Sequence, residues 1–304
     1  MAFGRNSLLR WCMQALLLLG STNSTCMAAE KIFYPRPESA SDPRVEYPLK
    51  LLDMALKKSG AQYELLPSQL AMQQGRALQE VEFGSDMVHI VWSMTSKERE
   101  QKTLPIRIPI YKGLIGWRLP LVTQKTSIQF MGVRGIDDMK PFEAGQGHDW
   151  PDTEILRFNG LAVQGSPTYE GLFLMLEANR FHYFPRSVIE IWAEADLHAH
   201  NGVVIDSHIA LHYPAAFYYF VNKGNTKLAK ALTQGLEKSI ADGSFDQLFH
   251  QYFDPLIKRS DLGNRTVIEL KNPLLPALTP LGRKELWFQP QAARPLPVSN
   301  SKIQ

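Results

Sequence analysis

The sequence predicts an α/β fold of two lobes, each a mainly parallel sheet flanked by helices, joined by two hinge crossings. Three observations predict it. Short apolar runs and amphipathic stretches alternate as β-α-β-α-β over residues 31–92. A second, smaller alternation occupies about 123–210. Apolar extended runs and two helices then return the chain to the first unit. At 304 residues the chain is long enough for two lobes that each bury a core.

The elements follow in order. Residues 31–34 read as a strand, stopped by Pro35-Arg36-Pro37. Over 47–59, Leu51, Leu52, Ala55 and Leu56 recur at helical spacing, and Gly60 closes the helix. Residues 61–66 predict a second strand, Ser68 the N-cap of a helix through about Glu80, and 87–92 a buried third strand. Residues 104–122 are extended and broken by Pro105, Pro109 and Pro120; 136–152 are rich in Gly, Asp and Pro. The second unit then reads as a helix (153–158), a strand (161–163), a helix (169–179), a strand (181–184) and a helix (187–198). Residues 203–205 and 216–221 are extended, 226–241 form a helix ended by Asp242-Gly243, and a last helix covers about 245–252. The domain reading is therefore a leader at 1–29, lobe 1 at 30–122 and 211–255, lobe 2 inserted at 123–210, and a Pro-rich C-terminal extension at 256–304. In that extension Leu286-Trp287-Phe288 is apolar enough to dock on a surface, and the last dozen residues are expected to fray.

The leader has the order of an export signal: Arg5 and Arg10, an apolar stretch centred on Leu16 to Leu19, then small residues ending in Met27-Ala28-Ala29. Cleavage near Ala29 would make the protein periplasmic and remove both cysteines, Cys12 and Cys26, excluding thiol chemistry. It would also leave 31 basic against 30 acidic residues, which gives no electrostatic footprint for nucleic acid. A mean hydropathy of -0.20 argues against a multi-span membrane protein.

Two lobes on two crossings make a hinge, and the cleft between them is the natural ligand site. Tyr34 and Trp92 end predicted strands, where sheet ends open to a cleft, and rings there can stack a ligand.

Three segments carry a resemblance over roughly residues 31–253: Ser93-Met94-Thr95-Ser96-Lys97-Glu98-Arg99, Gly145-Gln146-Gly147-His148-Asp149, and Asp242-Gly243-Ser244-Phe245-Asp246-Gln247-Leu248. They are similar to the corresponding stretches of bacterial solute-binding protein family 3, the polar amino acid class of type II periplasmic binding proteins. The resemblance implies that Arg99 clamps a ligand carboxylate, a task its planar fork suits, with Ser93 and Thr95 or Ser96 adding hydroxyl donors. The competing reading of Arg99 is a solvated member of the Lys97-Glu98-Arg99-Glu100 charge run. Gly147 and His148 would offer backbone N–H groups at a helix start, or Asp149 or Asp152 would simply cap that helix. The family's amino acid binders place an acid after the strand that here reads 181–184; this chain has Pro185-Arg186-Ser187. Arg186 facing the cleft together with Arg99 would suit a doubly anionic ligand; alternatively Glu190 takes the acid's role, or Arg186 is a structural salt bridge.

No cofactor or metal is expected. His198, His200, His208 and His212 straddle a helix end, a turn and a strand, which is not a one-face ligand set. Gly165-Ser166 lacks a nucleophile elbow. The expected function is capture of a small polar, carboxylate-bearing or otherwise anionic solute by a monomeric, non-enzymatic protein that hands it to an ABC permease. The alternatives are a sensor reporting to a membrane partner and an exported enzyme.

Overall fold

The computed structural model describes residues 29–37 and 45–290. The stretch read as an export signal, through residue 28, and the last dozen residues lie outside them.

Lobe 1 grows from the strand β1 (Glu30–Arg36), the helix α1 (Glu46–Ser59) and the strand β2 (Tyr63–Ala71). β1 and β2 pair in parallel with Ile32 opposite Leu65. The four helix positions read from the sequence, Leu51, Leu52, Ala55 and Leu56, are all buried. Gly60 ends the helix at φ 82°, a conformation glycine adopts without steric cost. Ser68 is not a helix cap. β2 runs on past it to Ala71, and its hydroxyl accepts from Arg36 N at 3.0 Å and donates to Leu70 O at 2.6 Å. The next helix, α2 (Gln74–Phe83), starts at Gln73 instead.

The strand β3 (Ile90–Met94) joins this pair through His89, whose N donates to Phe33 O at 2.8 Å. A short helix, α3 (Lys97–Lys102), and the strand β4 (Leu104–Ile106) follow. The strand β11 (Phe217–Val221) returns between β3 and β4, antiparallel to both. The helix α9 (Thr226–Ala241) packs on α1 at Gly235, where an added Cβ would sit 1.8 Å from Ala55 O. The helix α10 (Ser244–Ser260) continues through Pro255, eight residues beyond the predicted end. Proline removes one backbone donor there, and the buried row Phe245, Phe249 and Phe253 holds the helix in place.

Lobe 2 is one mixed sheet. Its strands are β5 (Trp117–Thr123), β6 (Glu143–Gly147), β7 (Ala162–Ser166), β8 (Tyr183–Ser187), β9 (Val203–Ile205), β10 (Ile209–His212) and β12 (Thr266–Glu269). The order is β12-β10-β5-β8-β6-β7, with β9 also on β5. The pairs β6–β7, β6–β8 and β10–β12 are parallel, while β5 runs antiparallel to its neighbours. Sheet membership thus places β5 and β10 wholly in lobe 2, whereas the sequence reading kept 104–122 and 211–255 in lobe 1. The crossings are the segments 107–116 and 213–216. They touch where Tyr213 N donates to Gly116 O at 3.3 Å. Lys112 and Gly113 turn there with φ of 47° and 72°.

Gly145 and Gly147 are strand residues of β6, not loop. An added Cβ would meet the Phe181 ring at 2.1 Å and the Trp150 ring at 2.5 Å, so both glycines make room for aromatic cover. The lobe's helices are α4 (Gln124–Phe130), α5 (Ile136–Met139), α6 (Pro151–Phe158), α7 (Tyr169–Glu177) and α8 (Ile191–His198). No helix among the described residues is long and apolar enough to cross a membrane.

Candidate functional site: a polar cleft between the lobes

A cavity of about 760 Å³ lies where α3 of lobe 1 faces the start of α6 in lobe 2. Its walls are residues 96–99 on one side, and His148, Asp149, Trp150, Pro151, Thr153, Glu154, Arg157 and Phe158 on the other, with Leu274 at the edge.

Arg99 is aimed by local structure. Ser96 caps α3, its Oγ accepting from Arg99 N at 3.2 Å. Arg99 Nη1 then donates to Ser93 Oγ at 2.6 Å and to Met94 O at 2.7 Å. Two anchors on one nitrogen fix the guanidinium plane and leave Nε and Nη2 without a hydrogen bond or ion pair among the described residues. Burial pulls the Arg99 pKa down, opposed by the charges of Asp152, Glu98 and Asp149. A partly desolvated cation with an unused edge is built to receive an anion with two acceptor atoms.

The hydroxyls stand behind this arginine. Ser93 is fully buried and serves as its acceptor. Thr95 is also buried; its hydroxyl donates to Glu100 Oε1 at 2.8 Å, and Glu100 in turn takes Arg107 Nε and Nη2 at 3.0 and 2.6 Å. Ser93 and Thr95 therefore position α3, and of these three hydroxyl residues it is Ser96 that reaches the cavity.

In lobe 2, His148 is exposed and lines the cavity. Its N and Nδ1 lie 3.1 and 3.2 Å from Ser166 O. A carbonyl only accepts, so Nδ1 carries the hydrogen and Nε2 is left for a ligand. The backbone N–H of His148 is spent on Ser166, and Gly147 is buried beneath the Trp150 ring. At these two positions the turn thus offers the His148 side chain rather than bare amides. Asp149 and Glu154, both exposed on this wall, have no ion pair among the described residues. α6 begins at Trp150 with proline at its first position and no side-chain cap.

Arg186 does not line the cavity. It is 3 % exposed, and Glu194 takes its Nε and Nη2 at 2.8 and 2.7 Å. Glu190 lies 3.2 Å from the same Nη2. The guanidinium carbon is 4.9 Å from the Phe184 ring centroid and 5.2 Å from that of Trp150. Burial acts to lower its pKa, but Glu190 and Glu194 outweigh burial and raise it. The network continues through Glu190 to Arg118 at 3.4 Å, and Arg118 Nη2 holds Asp152 at 2.7 Å. Tyr213 OH donates to Asp152 as well. Asp152 is therefore a buried partner of Arg118, not a helix cap.

Tyr34 and Trp92 pack on each other with centroids 6.2 Å apart, and neither is in the cavity wall. Trp92 lies in the middle of β3, which extends to Met94, so it does not mark a strand end. Of the predicted site residues the structure brings Arg99 and His148 to the cavity, with Ser93 one layer behind. Sequence reasoning missed Lys97, Glu154, Arg157 and Leu274; Leu274 is remote in sequence and carries no signal of its own.

Three of the four histidines weighed as metal ligands are occupied locally. His198 stacks on Phe173 at 3.8 Å, His208 Nδ1 lies 2.9 Å from Asp206 Oδ1, and His212 stacks on Trp117 at 4.0 Å. No group of three metal-ligating side chains occurs among the described residues.

A two-lobed α/β frame with a polar cleft at its hinge is the fold of the type II periplasmic binding proteins. No family model matches the chain, and no curated protein matches it. Solved structures do. One is an ancestral arginine-binding protein bound to arginine, 16% identical, covering 74% of this chain and 98% of its own, with a TM-score of 0.54. An arginine-specific periplasmic binding protein of Salmonella typhimurium is 16% identical, with 74% and 100% covered and a TM-score of 0.53. An ancestral amino acid-binding protein described as a precursor of cyclohexadienyl dehydratase is 14% identical, with 81% and 100% covered and a TM-score of 0.51. At these identities the likeness carries the fold.

Proposed function

We propose that the chain is a periplasmic solute-binding protein that closes its lobes on an amino-acid-like ligand and presents it to an ABC-type permease, without turnover. The observation that carries this is the Arg99 fork, fixed by Ser93 and Met94 and unpaired on its Nε/Nη2 edge, inside a cavity between two lobes. A ligand carboxylate fits that edge, and Asp149 and Glu154 on the facing wall suit its ammonium group or a cationic side chain. The amino acids named for the structural neighbours, and the export signal read at the N-terminus, support the ligand class and the compartment.

The test is calorimetric titration of the mature protein with the twenty standard amino acids, followed by the Arg99→Ala variant with whichever binds. Loss of the charged hydrogen bonds should weaken binding by about 1.5–3 kcal/mol, which is roughly 10- to 150-fold. Equal affinity in the variant removes Arg99 from the site, and binding by no amino acid removes the ligand class.

A further inference from the structure

The two-lobed frame needs two crossings, and this chain makes more. α10 begins in the core of lobe 1, yet its last turn reaches lobe 2, where the Arg259 guanidinium lies 4.3 Å over the Trp192 ring. Beyond it, β12 adds to the edge of the lobe 2 sheet with Ile209 opposite Thr266 and His212 opposite Glu269. Asn159 and Lys271 exchange two hydrogen bonds of 2.7 and 2.9 Å there. The chain then turns back. Asn272 Nδ2 donates to Pro214 O at 2.9 Å, beside the second crossing. Lys97 N donates to Leu274 O at 3.2 Å, and Lys97 Nζ donates to Pro273 O at 2.9 Å. On lobe 1 the Arg283 fork meets Glu237 at 2.5 and 2.9 Å, Phe288 N donates to Lys112 O at 2.6 Å, and Leu286 is fully buried.

We infer that residues 261–288 are an interlobe strap that limits hinge opening and pins the N-terminus of the helix carrying Arg99. Three features converge on this. The strap is anchored on both lobes by specific bonds, so opening the cleft must stretch or release it. Its anchor on lobe 1 includes Lys112, which sits in the left-handed turn of the first crossing. Its midpoint touches α3 at the first residue of that six-residue helix and supplies Leu274 to the rim of the cavity. The matched structures are covered almost whole by about three quarters of this chain, so a quarter of it lies outside their length. Tethering two bodies by an extra connection narrows their relative freedom by raising the effective concentration of one for the other. The importance of α3 rests on the cleft reading above; the restraint on the hinge does not.

The experiment cuts the strap in the folded protein. A protease site is inserted between Ala277 and Leu278, both exposed, and the uncut protein is its own folding control. Spin labels are placed on cysteines at Leu70 and Ile128, exposed positions on lobes 1 and 2, with Cys12 and Cys26 replaced by serine. With no ligand present, cutting should broaden the interlobe distance distribution and shift it to longer distances. The Lys97 amide should exchange about two- to tenfold faster, the worth of one hydrogen bond. Should the distance distribution and the Lys97 exchange rate both survive the cut, the strap has no such role. A change in distance alone keeps the hinge restraint and removes the pinning of α3; a change in exchange alone does the reverse. Neither readout needs a ligand. Failure of the Arg99→Ala binding test, by contrast, would overturn the cleft reading and leave the strap result standing.

Discussion

Glu194→Ala is the most informative single change in lobe 2. Glu194 is 7 % exposed and bonds both donors of one edge of Arg186, at 2.8 and 2.7 Å. It also accepts from Tyr169 OH at 2.8 Å. Removing one partner of a buried ion pair costs about 3–5 kcal/mol, because the other charge stays behind. Glu190, 3.2 Å from Arg186, keeps part of the attraction, which argues for the lower end. Loss of the Tyr169 hydroxyl's bond to Glu194 adds up to about 1 kcal/mol. A loss of about 3–4 kcal/mol should lower the melting temperature of a protein this size by roughly 6–16 °C. Differential scanning calorimetry at neutral pH measures it, and Arg186→Met/Glu194→Leu should recover part of the loss because neither charge is then left unpaired. Ligand affinity should stay unchanged, since neither side chain reaches the cavity. A melting temperature within about 1 °C of wild type, or a clear loss of affinity in Glu194→Ala, would show Arg186 to be mobile and ligand-facing after all.

Other outcomes follow from the same geometry. Gly235→Ala drives a Cβ into Ala55 O, 1.8 Å away, so α1 and α9 must part; urea denaturation should show a loss of about 1–3 kcal/mol from overpacking. Ser93→Ala removes the acceptor that holds Arg99 Nη1 and should weaken ligand binding by about 1 kcal/mol, read by titration, with less effect than Arg99→Ala. The Asp242 carboxyl is held down to about 2 by Lys58 Nζ and by Ser244. A carboxyl lower in the folded state than its unfolded value of about 3.9 stabilises fully above that value and loses the effect as pH falls through 2. Lys58→Met should raise the Asp242 titration midpoint toward the unfolded value, as followed by NMR, and a midpoint still near 2 would discount the lysine.

Where side-chain pattern alone decides an element, the sequence was legible. α1 and α9 present their apolar faces at helical spacing, and both are where the spacing places them. β6 was not legible, because Gly145 and Gly147 look like loop residues until the Phe181 and Trp150 rings that cover them are known. β2 overran Ser68 because pairing with β1 supplies more backbone bonds than a cap. The lobe boundary was not legible because β5 is extended and, apart from Arg118 and Thr123, apolar, which says strand but not which sheet. The place of Arg99 at the cavity was legible from the local stretch 93–99, in which Ser96 caps its helix and Ser93 anchors its guanidinium. Arg186 was misplaced in the cleft because its main partner lies eight positions on, at Glu194 on the following helix, beyond the nearer Glu190. Leu274 was invisible because its place at the rim depends on the path of the whole strap.

The charge balance of lobe 2 bears on what the cleft accepts. Arg186 beside Arg99 is what made a doubly anionic ligand conceivable, but Arg186 is buried and spent within lobe 2, as Arg118 is, on Glu194, Glu190 and Asp152. Three carboxylates against two guanidinium groups leave that network one negative charge in excess, and Asp152 already acts on Arg99 from across the cleft. Asp149 and Glu154 add two further negative charges on the same wall against the one positive charge of Arg157. A second carboxylate on a ligand would therefore face like charge, whereas a cationic group would meet opposite charge. Closure is driven by contacts made only in the closed state. A ligand that neutralises Arg99 with its anionic end and lobe 2 with its cationic end supplies such contacts at both walls, and a dicarboxylate supplies them at one.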